Sequence, residues 1–447
     1  MFSFSLGDVR KRLPKKLLGT FLKSTAATTN DAIVVEESSE DVWEMLQTKL
    51  QSVVAVADED DNVREPVLTF YRDTNGWCPF CERVWICIRA KNLSYDETLV
   101  SLFNKPDWYK QMVPTAQVPA ILFHKWDGGN DENTRKLVWE SRDVMKALDE
   151  AFPDTVQLVH DTEEYNGAIE QNEHLLKAGL DFLSLDGQEE GEDAEKIKGE
   201  KRGAFRSSLN EIDQSLQKSG GPFRLGSKFT GVDADMIPML ERWRYQLPLK
   251  DTPLNILEGR PYLQKWFEAM ESFEPYSDRV MGDEYSWVAT NSIFAKYFGG
   301  TENEIKVSEE IASGLIKNMS DSGKCQEKFA HEAAAKILKN NDAIINDCTN
   351  IEPKSQQNLM RSGNVENAKH LLQYVAELLL NGEDAIDCAS SLPLSQNLET
   401  LSVEEKHDAS IAAKTIASRL CVPRDMSAPA AEILRLILVT VAARLVI

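Results

Sequence analysis

The feature that most constrains this chain is an apolar strand that runs almost directly into a cysteine-headed helix. "PVLTFYR" (66–72) is β-branched and aromatic, and the polar turn "DTNGW" separates it from "CPFCERVWICIRAKN", whose apolar positions recur at helical spacing as far as Asn92. Pro79 falls at the first helical position, where a missing N–H costs nothing. The unpaired N–H groups and the positive end of the helix dipole then face the sulfur of Cys78, and both favour thiolate over thiol. Cys81 lies one turn further in, within reach of Cys78 to resolve a mixed disulfide. Two other uses of the pair stay open at this point. An inert buried pair is one. A zinc site is the other, but zinc commonly takes two such pairs or one pair with nearby histidines, and none of the 6 histidines lies close in sequence, so no metal is expected.

The pattern continues with a second strand candidate, "SYDETLVSL", and a loop, "FNKPDWYKQMVPTAQVP". "AILF" and "KLVWE" read as two strands joined by the polar turn "KWDGGNDENTR", and "SRDVMKALDEAF" as a helix closed by Pro153. The order β-α-β, link, β-β-α is the thioredoxin-like plan. From residue 156 the chain turns almost wholly helical, with "EYNGAIEQNEHLLKAGLDFLSL", "KRGAFRSSLNEIDQSLQK", "VDADMIPMLERWRYQL" and "GRPYLQKWFEAMESF" carrying apolar stripes. Thr230 and Asp233 form a T-x-x-D at the head of the third of these, placed to cap it. Beyond residue 281 further stripes appear, as in "ENAKHLLQYVAELLLNG", with no motif that carries chemistry. The expected organisation is an N-terminal extension (1–65), a thioredoxin-like α/β domain (66–155), an all-helical domain (156–280) and a helical C-terminal extension (281–447).

The 447 residues exceed what one core usually organises. A formal charge of -22, from 50 basic and 72 acidic residues, disfavours nucleic acid as a partner, because phosphate binding needs clustered Lys and Arg. The 7 cysteines include only one close pair, which fits a reducing compartment better than a disulfide framework. Residues 1–30 are basic, hydroxylated and nearly free of acids, which suits either an organelle transit peptide or a basic surface terminus, so cytoplasm and plastid are both open. The end, "AAEILRLILVTVAARLVI", is interrupted by Glu432, Arg435 and Arg444. Leu434, Ile437, Leu438, Val441 and Leu445 share one helical face, so a packed helix is expected there and not a membrane span.

Two further stretches point toward the cysteine. Val118 precedes Pro119 just before a strand, where its main chain could face the thiol and pair with an extended peptide. Glu140 and Ser141 mark a strand end and helix start, where N–H groups and a hydroxyl can take a carboxylate while Glu140 takes an ammonium. Together these positions suit a thiol-bearing tripeptide.

"CPFCERV", "NKPDWYKQMVPTAQVPAI" and "WESRDVMKALDEAFP" resemble the amino-terminal domain of cysteine-type glutathione transferases of the omega-like and lambda-like branch. "GPFRLGSKFTGVDADMIPMLERW" resembles that superfamily's helical domain, and the tail closing on "SRLCVPRDMSAPAAEILR" resembles the iota class with its long carboxy-terminal extension. The resemblance implies that Cys78 attacks or holds the glutathione sulfur. It also implies that Lys105, Val118 and Pro119 contact glutathione, that Glu140 and Ser141 hold its γ-glutamyl end, and that Asp233 serves folding. The implied activity is glutathione-dependent thiol transfer or reduction on a disulfide, glutathionylated substrate or small electrophile. The rival is a non-catalytic carrier or docking protein built on the same pocket. Cysteine chemistry disfavours conjugation of glutathione, because a thiolate nucleophile tends to form a mixed disulfide with it.

Overall fold

The computed structural model describes residues 37–57, 64–126, 135–183, 192–298, 300–319, 325–349 and 364–447. The basic segment 1–30 and most of the turn between the last two strands lie outside the described residues. A helix, α1 (Glu37–Ala57), comes first. The α/β unit follows as β1 (Leu68–Asp73), α2 (Pro79–Ala90), β2 (Tyr95–Val100), α3 (Asp107–Met112), β3 (Ala120–Phe123), β4 (Lys136–Trp139) and α4 (Ser141–Ala151). The sheet order is β2-β1-β3-β4, with β1 and β2 parallel and the other pairings antiparallel. The parallel pair needs a crossover, which α2 supplies, and the last two strands join as a hairpin. The stretch expected to be a loop before β3 holds α3. Six residues are too few to show an apolar period, and Tyr109 anchors the turn by complete burial.

The helical unit comprises α5 (Glu163–Leu183), α6 (Glu192–Ser219), α7 (Gly231–Gln246), α8 (Pro261–Glu271) and α9 (Glu274–Ser277). Thr230 caps α7 in a capping box with Asp233. Asp233 is fully buried, and its carboxylate accepts the Thr230 N–H at 2.9 Å, the Arg224 N–H at 2.8 Å and the Trp266 indole N–H at 2.9 Å. It therefore ties the preceding loop, the start of α7 and α8 to one point.

One apolar core runs through both units without a break, from Phe70, Val84 and Ile121 to Leu240, Trp243 and Trp266. The tail adds α10 (Glu284–Phe298), α11 (Glu302–Lys317), α12 (Glu327–Thr349), α13 (Val365–Leu379), α14 (Ala385–Ser391), α15 (Gln396–Glu399), α16 (Val403–Arg419) and α17 (Ala428–Arg444). Its core, centred on Leu371, Val375, Ile437 and Leu438, also takes in Leu46 of α1. This helix of the N-terminal segment thus packs on the opposite end of the sequence. The face of α17 named from sequence is buried as expected. Arg435 on that helix is almost fully buried, and it is neutralised by Asp283 and donates to the Leu420 carbonyl at 2.8 Å. No helix among the described residues is long and apolar enough to cross a membrane.

Candidate functional site

Cys78 is the N-cap of α2, with φ −77° and ψ 113°, and its carbonyl accepts the first helical bond from Glu82 at 3.1 Å. No side chain caps this end, so the helix presents its N-terminal N–H groups beside a half-buried sulfur. The sulfur lies 3.9 Å from the Val118 carbonyl oxygen, and the Val118–Pro119 peptide is cis. Val118 and Pro119 are both buried, and Tyr109 steadies the approach to them by donating to the Gln117 carbonyl at 2.7 Å. Cys81 is 2% exposed, and burial first, then its hydrogen bond to Cys78, pushes its thiol well up. Cys78 is thus the accessible sulfur, and Cys81 is held as a neutral thiol behind it.

Glu140 carries φ +65° and ψ 115° at the turn from β4 into α4. A non-glycine residue held there is strained, and such strain persists only where the surroundings impose it. Beside it Ser141 is buried as the first residue of α4, and its Oγ accepts from Arg83 at 2.7 Å. Arg83 in turn pairs with Asp235 of α7 at 2.8 Å, and Arg142 reaches the same carboxylate at 2.9 Å and 3.0 Å. Burial works against the charge on Asp235, but Arg83 and Arg142 outweigh it and hold its carboxyl below the usual range. The helical unit therefore fixes the N-terminus of α4 through a buried, doubly paired acid. Glu140 itself is exposed, and Lys105 sits half-buried in the loop between β2 and α3.

Three groups at the site escaped sequence reasoning. Asp73, the last residue of β1, is 1% exposed, and it accepts the Trp77 N–H at 2.7 Å and shapes the turn into Cys78. Arg242 of α7 donates to the Trp77 carbonyl at 3.2 Å and pairs with Glu82 at 2.6 Å, so a buried cation from the helical unit holds the turn from below. Glu82 and Glu241 then share this one cation. Glu241 accepts from Tyr276 and from the Gly282 N–H, both at 2.7 Å, while its Oε2 and Glu82 Oε1 have no other partner. Burial, then the charge of Glu82, raises the Glu241 carboxyl well above its ordinary value. The i, i+4 position of Glu82 after Cys78 was visible in sequence, but its partners were not.

The tail reaches the same turn. Gly76, at φ +68°, packs where an added Cβ would meet Pro423 Cγ at 3.3 Å and Arg424 N at 3.4 Å. The Trp77 ring meets Phe294 of α10 edge-on at 5.3 Å, and Arg279 donates to the Pro423 carbonyl at 2.6 Å.

The sequence is similar to known proteins over both of these units. The family model described as the glutathione S-transferase N-terminal domain matches residues 77–151, and the C-terminal domain model matches 169–269. Glutathione S-transferase L2, chloroplastic, of Arabidopsis thaliana is 31% identical over 235 residues, which cover 49% of this chain and 70% of that one. Glutathione S-transferase DHAR3, chloroplastic, of the same plant is 24% identical over 203 residues, or 45% of this chain and 69% of its own. The crystal structure of glutathione transferase Omega 3C from Trametes versicolor aligns over 51% of this chain and 92% of that one, with 20% identity and a TM-score of 0.38. With both domain models matched in order and a relative of 31% identity spanned over most of its length, the chain belongs to the glutathione S-transferase family.

Proposed function

We propose that the protein is a glutathione-dependent thiol transferase or reductase in which Cys78 is the attacking sulfur. The observation that carries this reading is the half-buried Cys78 sulfur at the uncapped N-terminus of α2, 3.9 Å from the Val118 carbonyl. In the first step the Cys78 thiolate attacks one sulfur of a glutathione disulfide. The new bond joins Cys78 to that sulfur, the old S–S bond breaks, and the leaving sulfur departs as a thiolate that takes up a proton. A second glutathione thiolate then attacks the mixed disulfide and restores Cys78. Burial keeps Cys81 from being a ready nucleophile, so the external thiol performs this release.

Lys105 and the main chain of Val118, ahead of Pro119, would hold the tripeptide, and Ser141 with the α4 N–H groups would take its γ-glutamyl carboxylate while Glu140 takes the ammonium. The long helical tail and the C-P-x-C site favour an iota-like member, and a chloroplastic relative suits a plastid location. The four-part division at residues 65, 155 and 280 belongs to the same reading. A thiol-transfer assay on serine variants tests it: Cys78→Ser should lose activity entirely, and Cys81→Ser should keep a measurable rate. Equal loss in both would mean an obligatory dithiol, full activity without Cys78 would place the attacking sulfur elsewhere, and no transfer by the wild type with glutathione bound would leave the site as a carrier pocket.

A further inference from the structure

Asp73 ends β1, Cys78 caps α2 and Cys81 follows one turn in, and one carboxylate oxygen and the two sulfurs lie within 4.8 Å of one another. Asp73 is 1% exposed, and while its Oδ2 accepts the Trp77 N–H, its Oδ1 has no hydrogen-bond partner. A buried carboxylate oxygen left in this state is costly and calls for a proton or a cation. Arg242, the buried cation beneath the turn, is committed to Glu82 and to backbone carbonyls.

We propose that Asp73, Cys78 and Cys81 form a three-ligand site for a divalent thiophilic cation of the zinc class, with a fourth position open on the Cys78 side. Tetrahedral zinc bonds of about 2.0–2.3 Å place neighbouring ligand atoms roughly 3.5–3.8 Å apart, so no pair of the three atoms need close by more than about 1.3 Å. Two sulfurs select zinc or cadmium over magnesium or calcium, which prefer all-oxygen sites. Cys81 gives up its proton as its metal–sulfur bond forms, and Cys78 binds as the thiolate. Two thiolates and a carboxylate then carry three negative charges against the cation's two, and water or an external thiolate completes the shell. The D-x4-C-x2-C spacing was present in the sequence, but a search confined to Cys and His passes over its aspartate. The site uses the thiols of the proposed enzyme but does not depend on their transfer chemistry. Bound metal masks Cys78, so metal loading and glutathione adduct formation exclude each other.

Titration of the full-length, reduced, metal-stripped protein with Cd2+ against a weak chelator tests this. The thiolate-to-cadmium absorbance should saturate at one ion per chain, with proton release to an indicator dye. Asp73→Asn should weaken binding at least tenfold, and Cys78→Ser/Cys81→Ser should abolish it. Absence of a saturable signal would mean that the three side chains hold no cation. An unchanged curve in the double variant would place the ion on Cys87, Cys325, Cys348, Cys388 or Cys421, and either result overturns the site. If Asp73→Asn does not give a native circular dichroism spectrum, Cys81→Ala carries the test, and wild-type affinity there would overturn it equally. Cadmium binding without thiol transfer would sink the proposed activity and leave the metal site standing.

Discussion

At the scale of single residues, the difference between Cys78 and Cys81 comes from position. One sulfur sits half-buried at the helix end, and the other is sealed beneath it with a thiol pushed well up by burial. Glu140 poses a different question, because it is exposed yet strained at φ +65°. Strain of this kind is kept where a geometry is used. Glu140→Ala should therefore weaken glutathione binding by about 1.5–3 kcal/mol, the range for hydrogen bonds to charged groups. Unchanged affinity by calorimetry would remove Glu140 from the site. The cysteine pair, Pro79 and the Glu140–Ser141 junction were legible in sequence because each is local: a cap, a first-turn proline, a strand-to-helix switch. Asp73, Arg242 and Glu241 were not, since their roles depend on partners brought from another element. Arg242 meets Glu82 across 160 residues of sequence.

At the scale of elements, Asp235 is the joint between the sheet-bearing unit and the helices, tying α2, α4, α5 and α7 through Arg83, Arg142 and Asn172. Asp235→Ala would leave Arg83 buried and unpaired, a loss of about 3–5 kcal/mol in chemical denaturation at neutral pH. Because Arg83 also donates to Ser141, the same variant should bind glutathione less well. The acid limb gives an independent check. The folded carboxyl of Asp235 lies below its unfolded value of about 3.9, so its contribution is complete above that value and is lost as pH falls through the folded pKa. The variant should lose less stability on acidification than the wild type, and parallel acid limbs would contradict this. The order of the longer elements was readable from periodicity, while α3, α9, α10, α11, α14 and α15 were not read from it. α3 is too short to show a period. α11 buries Ala312, with Val307 and Leu315 partly buried against the same cluster, while its other fully buried positions, Glu304 and Ser308, are polar.

At the scale of the whole molecule, the tail is packed against the transferase core, and its contacts converge on the turn that carries Cys78. Phe294 meets Trp77, Pro423 lies against Gly76, and Arg435 pairs with Asp283 at the start of the tail. The tail's core also buries Leu46 of α1, so both ends of the described chain depend on it. Deletion of residues 281–447 should strip α1 of its partner, expose the apolar faces of α7 and α10's former contacts, and lower the melting temperature or cause aggregation. A soluble, monodisperse fragment of unchanged thermal stability would contradict the packed arrangement. None of this was legible in sequence beyond the amphipathic stripes, because a stripe announces that a face is buried without saying against what.

The most direct measurement is mass spectrometry of the full-length protein after incubation with oxidised glutathione. If Cys78 is the attacking sulfur, peptide mapping should find one glutathione adduct per chain, on Cys78, reversed by added glutathione and absent from Cys78→Ser. Glutathione bound tightly without any adduct on Cys78, or an adduct on another cysteine alone, would contradict the proposed chemistry.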